Sequence, residues 1–98
     1  MSKSLIVQKY GGTSVGTLER IEYVADCIVK VRKTGVDIVV VVSAMAGETD
    51  KLLKMARSLS KNPARREVDM LLSSGERISA ALLALALQSR GIPAFSMT

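Results

Sequence analysis

Five consecutive β-branched residues, Ile38 to Val42, constrain the fold more than any other feature of this 98-residue sequence. β-Branched side chains favour extended backbone, and a run without polar alternation predicts a strand that is covered on both faces. Strands of this kind occur in parallel sheets, where helical crossovers join one strand to the next. The strand is predicted over residues 37–43, and the sequence therefore predicts an α/β fold.

The first crossover is visible on the N-terminal side of this strand. Residues 4–10 form the first predicted strand. Thr17 is a favourable N-cap residue, and apolar residues recur after it at helical spacing up to Val31. Gly35 closes that helix. Because β-α-β crossovers are almost always right-handed, the helices are expected on the faces of a parallel sheet.

The second crossover contains two predicted helices. Thr49 is the expected N-cap of the first, and Asn62-Pro63 ends it. Its predicted apolar stripe is Leu52, Leu53, Ala56 and Leu59. The second helix covers residues 67–90, with an interruption at Ser73-Ser74-Gly75, and a third strand is predicted at residues 94–97. The predicted fold class is a three-layer α/β/α sandwich with a mainly parallel sheet.

The composition excludes several classes of protein and site. A hydrophobic fraction of 48% with 3% aromatic residues indicates an aliphatic core in one domain or part of one. The longest nearly unbroken apolar stretch, Ile78 to Leu87, is too short to span a bilayer, so a cytoplasmic protein is predicted. Cys27 is the only cysteine, which excludes an internal disulfide and leaves too few thiols for a zinc site. The chain has no histidine, so Ser-His-Asp and Cys-His catalysis are also excluded.

The positive charge of the chain favours an anionic ligand. The formal net charge is +5 and the isoelectric point is about 9.7. Nucleic acid is not the expected ligand, because the 14 basic residues are scattered along the chain and aromatic residues for base stacking are scarce.

A lysine followed by a glycine pair outlines a phosphate site at the end of the first strand. Gly11 and Gly12 lack a Cβ and can adopt backbone angles closed to other residues, so their amides can approach an anion closely. Lys9 adds a positive charge, and a helix that begins just after Gly16 would direct free N–H groups to the same place. A P-loop differs, because its lysine follows the glycines. The alternative is an ordinary turn between a strand and a helix.

Two turns and one carboxylate are expected to meet at one edge of the sheet. Ligands of open parallel sheets bind beyond the carboxyl ends of the strands, which here are residues 9–12 and 43–47. The interruption in the last helix can bring Glu76 to this edge. A carboxylate between apolar runs is costly unless it has a partner. Glu76 is therefore either a ligand-binding residue, the partner of Arg77 or another arginine, or a cap of the second helical segment.

Three segments together resemble a known family. They are Lys9-Tyr-Gly-Gly-Thr-Ser14, Val41-Val-Ser-Ala-Met45 and Met70-Leu-Leu-Ser-Ser-Gly-Glu76. Their order and spacing are similar to those of the aspartokinases, within the amino-acid kinase family. The resemblance covers residues 1–98 and corresponds to the N-terminal part of the catalytic domain. It implies ATP-dependent phosphorylation of the β-carboxylate of L-aspartate to 4-phospho-L-aspartate, the first step toward lysine, threonine and methionine.

The resemblance also implies roles for individual residues. Lys9 is the implied catalytic residue, which stabilises the transferring phosphoryl group. The implied ATP-binding residues are Lys9, Tyr10, Gly11, Gly12 and Ser43. The implied substrate-binding residues are Gly47, Glu48, Thr49, Asp50, Lys51 and Glu76. Among these, Thr49 is an implied direct contact and Glu76 meets the ammonium group of aspartate.

ATP and Mg²⁺ are the implied cofactors, and no residue is assigned as a metal ligand. L-Aspartate and ATP are the implied ligands, no nucleic-acid or membrane partner is expected, and the full-length enzyme is expected to be a homo-oligomer. The family also has a downstream Arg-Gly-Gly-Ser-Asp segment, further adenine and ribose contacts and paired regulatory domains, which these 98 residues do not contain. The chain is therefore expected to be a fragment without a regulatory domain and to be inactive alone.

Two alternatives stay open. A relative that phosphorylates another small acid, such as acetylglutamate or glutamate, shares the fold and a glycine-rich first turn, although residues 9–14 and 43–45 favour aspartate. The other alternative is a non-catalytic module that binds a nucleotide or phosphate, or a truncated partner of a full-length subunit. ATP binding without turnover would favour the non-catalytic alternative.

Overall fold

The computed structural model describes residues 4–97, which form a two-stranded sheet and three helices. In chain order the elements are β1 (Leu5–Tyr10), α1 (Leu18–Arg32), β2 (Asp37–Val42), α2 (Glu48–Leu59) and α3 (Arg65–Ser89). The strands are parallel, with Leu5 opposite Asp37 and Tyr10 opposite Val42. The predicted α/β fold with a parallel sheet is confirmed.

The hydrophobic core lies between the sheet, α1 and α3. Its buried members are Val15, Ile21, Val24, Ala25, Ile28, Val42, Leu83 and Leu87. Ile38 and Val40 of β2 pack against this cluster. Burial of each valine, isoleucine or leucine side chain contributes about 1.5–3 kcal/mol to the stability of the fold. The aliphatic core expected from the composition is therefore confirmed.

Helix α1 begins and ends where the sequence predicts. The Thr17 hydroxyl accepts a hydrogen bond from the Arg20 N–H at 3.1 Å, which satisfies one of the free donors of the first turn. Gly35 follows the last turn with a φ of +90°, a left-handed conformation that glycine adopts at no steric cost. These two residues fix the length of the first crossover.

The strand β2 is covered on one face, whereas the sequence predicted cover on both. Ile38, Val40 and Val42 face the helices, while Val39 and Val41 are 38% and 46% exposed. The expected second cover is missing within residues 4–97 because α2 packs against α3 and contacts neither strand. The described residues therefore provide the sheet and a helical layer on one of its faces.

The third predicted strand is wrong: the structure assigns no strand to residues 94–97. An open apolar depression, here called the β2 trough, separates this segment from β2, so no ladder joins them. The trough has a volume of about 660 Å³ and is lined by residues 38–42, by α3 and by residues 94–97. A strand needs a neighbour at hydrogen-bonding distance, and the trough keeps the nearest strand out of reach.

The edge of β2 that faces away from β1 carries free main-chain groups. The Asp37 N–H donates to the Ser4 carbonyl at 2.9 Å, and the Ser43 N–H donates to the Tyr10 carbonyl at 3.1 Å. Because alternate residues of a strand bond to the same neighbour, the main-chain groups of Ile38, Val40 and Val42 point to the opposite edge. This edge is therefore open for pairing.

Helix α2 starts two residues earlier than the sequence predicts. Its N-cap is Gly47, with a φ of +83° and no side-chain cap, so Thr49 lies in the first turn and not at the cap. Leu59 was predicted in the apolar stripe but is 91% exposed. The helix has no fully buried residue. Its only contact with another helix or strand among residues 4–97 is with α3.

Helix α3 is continuous, although the sequence predicted an interruption at residues 73–75. The Ser73 hydroxyl donates to the Met70 carbonyl at 2.9 Å, and the Ser74 hydroxyl donates to the Leu71 carbonyl at 2.6 Å. Both serines therefore bond within their own helix and do not divert the backbone from it. The glycine that follows them serves tertiary packing, described below.

Helix α3 is the one helix among residues 4–97 whose length and composition would also suit a membrane span, with a mean hydropathy of 1.4 over 18 residues. Apolar character thus extends beyond the Ile78 to Leu87 stretch singled out in the sequence. The central helix of a soluble protein meets the same criterion. Leu83 and Leu87 of this helix are buried in the core against α1 and β2, while 22% of the 18-residue window is buried in all. A single helix of this kind is weak evidence for a membrane span.

Arg90 ties the end of α3 to α1. Its guanidinium donates to the Asp26 carboxylate at 2.8 Å, to the Glu22 carbonyl at 3.4 Å and to the Ala86 carbonyl at 2.9 Å. The hydrogen bond to Asp26 raises the pKa of Arg90 further above its ordinary value, so the group stays charged at any working pH. This contact holds the two core helices together at the end of α3.

Candidate functional site

The turns that follow β1 and β2 meet at one end of the sheet. The β1–α1 turn covers residues 11–17 and the β2–α2 turn covers residues 43–47. The strands end at the same level because Tyr10 is opposite Val42. The Ala46 N–H donates to the Gly12 carbonyl at 3.2 Å and joins the turns directly. The convergence predicted from the sequence is therefore present.

The glycines of the β1–α1 turn allow a close approach between the two turns. A Cβ on Gly12 would lie 2.9 Å from the Ala44 carbonyl oxygen, and a Cβ on Gly16 would lie 3.3 Å from the Ala46 Cβ. Among residues 4–97, positive φ angles occur only at Gly35, Gly47 and Gly91. Gly11 and Gly12 therefore do not use the backbone angles that are open only to glycine, and the missing Cβ is what matters at Gly12.

The β1–α1 turn leaves space and free donors at its outer side. No atom lies within 4 Å of the position that a Cβ on Gly11 would occupy. The Ser14 N–H donates to the Gly11 carbonyl at 3.1 Å, but within the described part of the chain the amides of Gly11, Gly12 and Thr13 have no hydrogen-bond acceptor. Unpaired main-chain N–H groups in a turn suit an anion.

Lys9 lies next to this turn, on the uncovered face of the sheet. It is opposite Val41 in the register, and its side chain is exposed. The ion pairs formed within residues 4–97 involve Arg32 and Arg90, so the ammonium group of Lys9 is available to an external anion. A flexible lysine can reach such an anion as a point charge.

Tyr10 points to the other face of the sheet and packs against the core. Its hydroxyl donates to Gln8 Oε1 at 3.1 Å. Partial burial raises the pKa of the Tyr10 phenol, and the nearby Cys27 and Tyr23 raise it further. The side chain is therefore part of the packing below the site, and only the main chain of Tyr10 is near the turn.

The β2–α2 turn leads from Ser43 into the first turn of α2. Ser43 is half-buried and follows β2 directly, and Gly47 takes the left-handed angle that redirects the chain into the helix. Glu48 is half-buried. The substrate-binding residues predicted next to it, Thr49, Asp50 and Lys51, are exposed in the first turn of the helix, where its dipole is positive.

Glu76 is exposed on α3 and lines the β2 trough together with Ser73 and Arg77. The apolar runs on either side of Glu76 predicted a carboxylate that needs a partner, but the side chain is exposed, which removes the cost of burying it. The alternative pairing with Arg77 is not formed, because the Arg77 guanidinium donates to the Ser73 hydroxyl at 3.3 Å. The Glu76 carboxylate is therefore accessible to a ligand.

Small residues that sequence analysis did not assign to the site hold these parts together. Ala44 and Ala46 contact Gly12 and Gly16 from the β2–α2 turn, and a Cβ on Gly75 of α3 would lie 2.9 Å from the Ala44 Cβ. The density of glycine and alanine in these segments is the one sequence signal that could have indicated such close packing. Which small residues touch depends on the tertiary fold.

No group of three or more acidic, histidine or cysteine side chains within residues 4–97 is arranged to hold a metal ion. The donors present at the joined turns are main-chain amides, hydroxyl groups such as that of Ser43, and one ammonium group. Their charge and geometry suit a phosphate or carboxylate ligand better than a cation.

Comparison with known sequences identifies close relatives. An aspartate kinase from Stutzerimonas stutzeri (strain A1501) is 58% identical to this chain over 95 residues, which are 97% of the chain and 23% of the relative. The chain thus spans about a quarter of the length of the curated relatives that it matches.

Comparison with solved structures supports the same relationship. The aspartate kinase from Synechocystis is 57% identical and superposes with a TM-score of 0.93, covering 96% of this chain and 16% of that one. E. coli aspartokinase III, solved in complex with aspartate and ADP, shares the fold with a TM-score of 0.68 at 21% identity, covering 90% of this chain and 30% of that one.

The sequence profile of the amino acid kinase family matches residues 4–98. This range contains both strands, all three helices and the two joined turns described above. The chain therefore belongs to the amino acid kinase family.

Proposed function

We propose that this chain forms the N-terminal half of the active site of an aspartate kinase. The reaction transfers the γ-phosphoryl group of ATP to the β-carboxylate of L-aspartate and yields 4-phospho-L-aspartate and ADP. The observation that carries the proposal is the direct contact between the β1–α1 and β2–α2 turns, with free amides and Lys9 beside it. Relatives that are 52–58% identical to nearly the whole chain are named aspartate kinases or aspartokinases, which supports the choice of substrate.

The proposed phosphate site consists of Lys9 and the β1–α1 turn. Free amides at Gly11 and Gly12 donate to phosphate oxygens, and the open space at Gly11 admits them. Ser43 donates from the neighbouring turn. Tyr10 contributes through its main chain, because its side chain packs against the core. Lys9 is the proposed catalytic residue, since its ammonium group offsets the charge of the transferring group.

The proposed aspartate site lies across the β2–α2 turn. The first turn of α2 supplies its polar groups, which are Gly47, Glu48, Thr49, Asp50 and Lys51. Thr49 is the proposed direct contact, and the positive end of the helix dipole favours a carboxylate there. Glu76 on α3 is the proposed partner of the ammonium group of the substrate.

The chemistry requires positioning and charge more than proton transfer. A β-carboxylate has an ordinary pKa near 3.9, so it is already ionised at neutral pH and needs no general base. One of its oxygens bonds to the γ-phosphorus as the bond from that phosphorus to the bridging oxygen of ADP breaks. The absence of histidine from the sequence is compatible with this reaction. Catalysis then depends on alignment and on the donors that offset negative charge.

Mg²⁺, ATP binding, location and assembly complete the proposal. Mg²⁺ accompanies ATP, because such sites hold the ion largely through substrate phosphates, and the described residues offer it no acidic cluster. E. coli aspartokinase III was solved with aspartate and ADP, which supports nucleotide and aspartate as ligands of the shared fold. The complete enzyme is proposed to be a cytoplasmic homo-oligomer with no nucleic-acid or membrane partner.

A chimera tests this function. In it, residues 4–97 replace the segment that they match in the Stutzerimonas stutzeri aspartate kinase, which supplies the rest of the site. The chimera is expected to form ADP in the presence of L-aspartate and to use L-glutamate and N-acetyl-L-glutamate poorly. A folded chimera that binds ATP without turnover would favour the non-catalytic alternative, and preference for another acid would favour a different carboxylate kinase.

Lys9→Ala in the chimera tests the proposed catalytic residue. We expect kcat to fall by about 10²–10³-fold, the effect of removing one donor that stabilises the transition state. The thermal midpoint should change little, because the Lys9 side chain is exposed. Lys30→Ala, which removes an exposed lysine of α1, is the matched control and should leave kcat unchanged. Normal turnover by Lys9→Ala would contradict the assigned role.

A further inference from the structure

We propose that Gly75 is a positioning residue, which sets the distance between Glu76 on α3 and the start of α2. The inference rests on the proposed function, because it assigns a role to a contact inside the proposed aspartate site. It concerns a residue that neither touches the substrate nor carries a functional group.

At Gly75, α3 makes a close contact with the β2–α2 turn. A Cβ at this position would lie 2.9 Å from the Ala44 Cβ, a distance that real Cβ atoms essentially never show. It would also lie 3.7 Å from Glu48 Cγ and 3.9 Å from Leu52 Cδ1. This one residue of α3 therefore determines how closely the β2–α2 turn and the N-terminal end of α2 approach α3.

The local backbone gives no reason for glycine at this position. Gly75 lies in the interior of a 25-residue helix, and its φ is not positive. Glycine is among the poorest helix formers, so local preference favours alanine. The close contact with Ala44 is the feature of the structure that requires a residue without a Cβ.

The contact matters for the site because α2 has few other anchors. Helix α2 has no fully buried residue and packs only against α3 among the described elements. Its first turn carries Glu48 and Thr49, and Glu76 follows Gly75 directly. The distance between the two halves of the proposed aspartate site is thus set where Ala44 meets Gly75.

Ala44 also links this contact to the phosphate side of the site. Its carbonyl oxygen lies where a Cβ on Gly12 would come within 2.9 Å, so the residue is held between the β1–α1 turn and α3. A methyl group added at Gly75 must move Ala44 and α3 apart by about 0.5 Å to reach ordinary contact. This displacement would shift the aspartate-binding groups away from Glu76, whereas Lys9 in β1 would keep its place.

Gly75→Ala in the chimera tests the inference through the two substrates separately. We expect the KM for aspartate to rise about tenfold with a lower kcat, because small displacements of positioned groups are costly. The KM for ATP should stay within about twofold of the parent value. Ala81→Gly, an opposite change of helix propensity at an exposed position of α3, is the control and should leave the aspartate KM unchanged.

The double variant Ala44→Gly/Gly75→Ala provides the size-swap rescue. It removes the Ala44 methyl group, which the Cβ added at position 75 would otherwise meet, so the aspartate KM should return close to the parent value. Failure of this rescue, an unchanged aspartate KM in Gly75→Ala, or an equal rise in both KM values would overturn the inference. If Gly75→Ala does not fold, the double variant decides alone, and it must fold with the parent KM.

Hydrogen exchange gives a measurement that does not depend on turnover. The Lys51 N–H donates to the Gly47 carbonyl at 3.1 Å in the first turn of α2. Its exchange should become faster in Gly75→Ala and return to the parent rate in the double variant. An inactive parent chimera would overturn the proposed function, and this exchange would still support or overturn the positioning contact.

Discussion

Two glycines next to the site illustrate that the same residue type serves different physical requirements. Gly47 has a φ of +83° and turns the chain into α2, so its conformational freedom is needed. Gly12 has an ordinary φ and is needed because a Cβ would meet the Ala44 carbonyl at 2.9 Å. The sequence shows both glycines, but only the structure separates these two reasons.

Tyr10 predicts a pH dependence of stability. Burial raises the pKa of its phenol above the ordinary value of 10.0, so the folded state holds the proton more tightly than the unfolded state. The stabilisation is fully present below pH 10.0 and is lost as the pH rises through the folded pKa. In the chimera, the urea midpoint should fall more steeply above that pH in the parent than in Tyr10→Phe.

Gln8→Ala is the control for this measurement. It removes the acceptor of the Tyr10 hydroxyl and leaves the phenol buried, and burial is the largest cause of the shift. The variant should therefore lose about 1 kcal/mol of stability at neutral pH but retain the steeper alkaline slope. Equal slopes for the parent and Tyr10→Phe would contradict the assigned cause.

At the scale of elements, the sequence predicted those strands and helix ends that depend on interactions between residues close together in the chain. The run from Ile38 to Val42 predicted β2, and Thr17 predicted the start of α1. The interruption of α3 was wrong because Ser73 and Ser74 bond within the helix. The prediction of a strand at residues 94–97 was wrong because a strand requires a neighbouring strand within hydrogen-bonding distance. The sequence of this segment alone does not show whether such a strand is present.

The N-cap of α1 gives a prediction at this scale. Thr17→Ala removes the acceptor of the Arg20 N–H and should cost about 1 kcal/mol of local helix stability. Thr17→Ser keeps an acceptor and is the matched control. Hydrogen exchange of the Arg20 amide in the chimera should be about fivefold faster for alanine and nearly unchanged for serine. Equal exchange in both variants would argue against the cap.

The candidate site could be predicted only in part from the sequence. That the turns converge follows from parallel topology, and the Gly12 to Ala46 hydrogen bond agrees with it. The exposure of Glu76 and the packing of Ala44 on Gly75 depend on how α3 crosses α2. A crossing geometry depends on side chains from several elements at once, so no single segment of the sequence predicts it.

At the scale of the whole molecule, neither outer edge of the two-stranded sheet has a paired strand within residues 4–97, and one face of the sheet is uncovered. The free main-chain groups of Ile38, Val40 and Val42 line the β2 trough, and Val39 and Val41 are exposed on the opposite face of the strand. Open edges next to exposed apolar side chains template pairing with other chains. The isolated 98-residue chain should therefore associate with itself. It should also form no ADP with aspartate, because it spans about a quarter of the length of the relatives that it matches.

Sedimentation velocity over a range of concentrations checks this prediction. Val39→Lys places a charge on the open face and should weaken association about tenfold. Tyr23→Lys changes an exposed residue of α1, on the helix-covered side of the sheet and not on its open face, and should leave association unchanged. A chain that stays monomeric at every concentration would contradict the prediction, as would equal effects of the two substitutions.

Helix α2 is the part of the molecule expected to open most easily, because it has few packing contacts. With no fully buried side chain and α3 as its only packing partner among residues 4–97, this helix can separate from the rest without disturbing the aliphatic core. Gly47, at the boundary between turn and helix, is the natural pivot for such a movement. The groups of α2 that are proposed to hold an amino acid thus occupy the least costly local opening, while those proposed to hold phosphate remain fixed to the sheet.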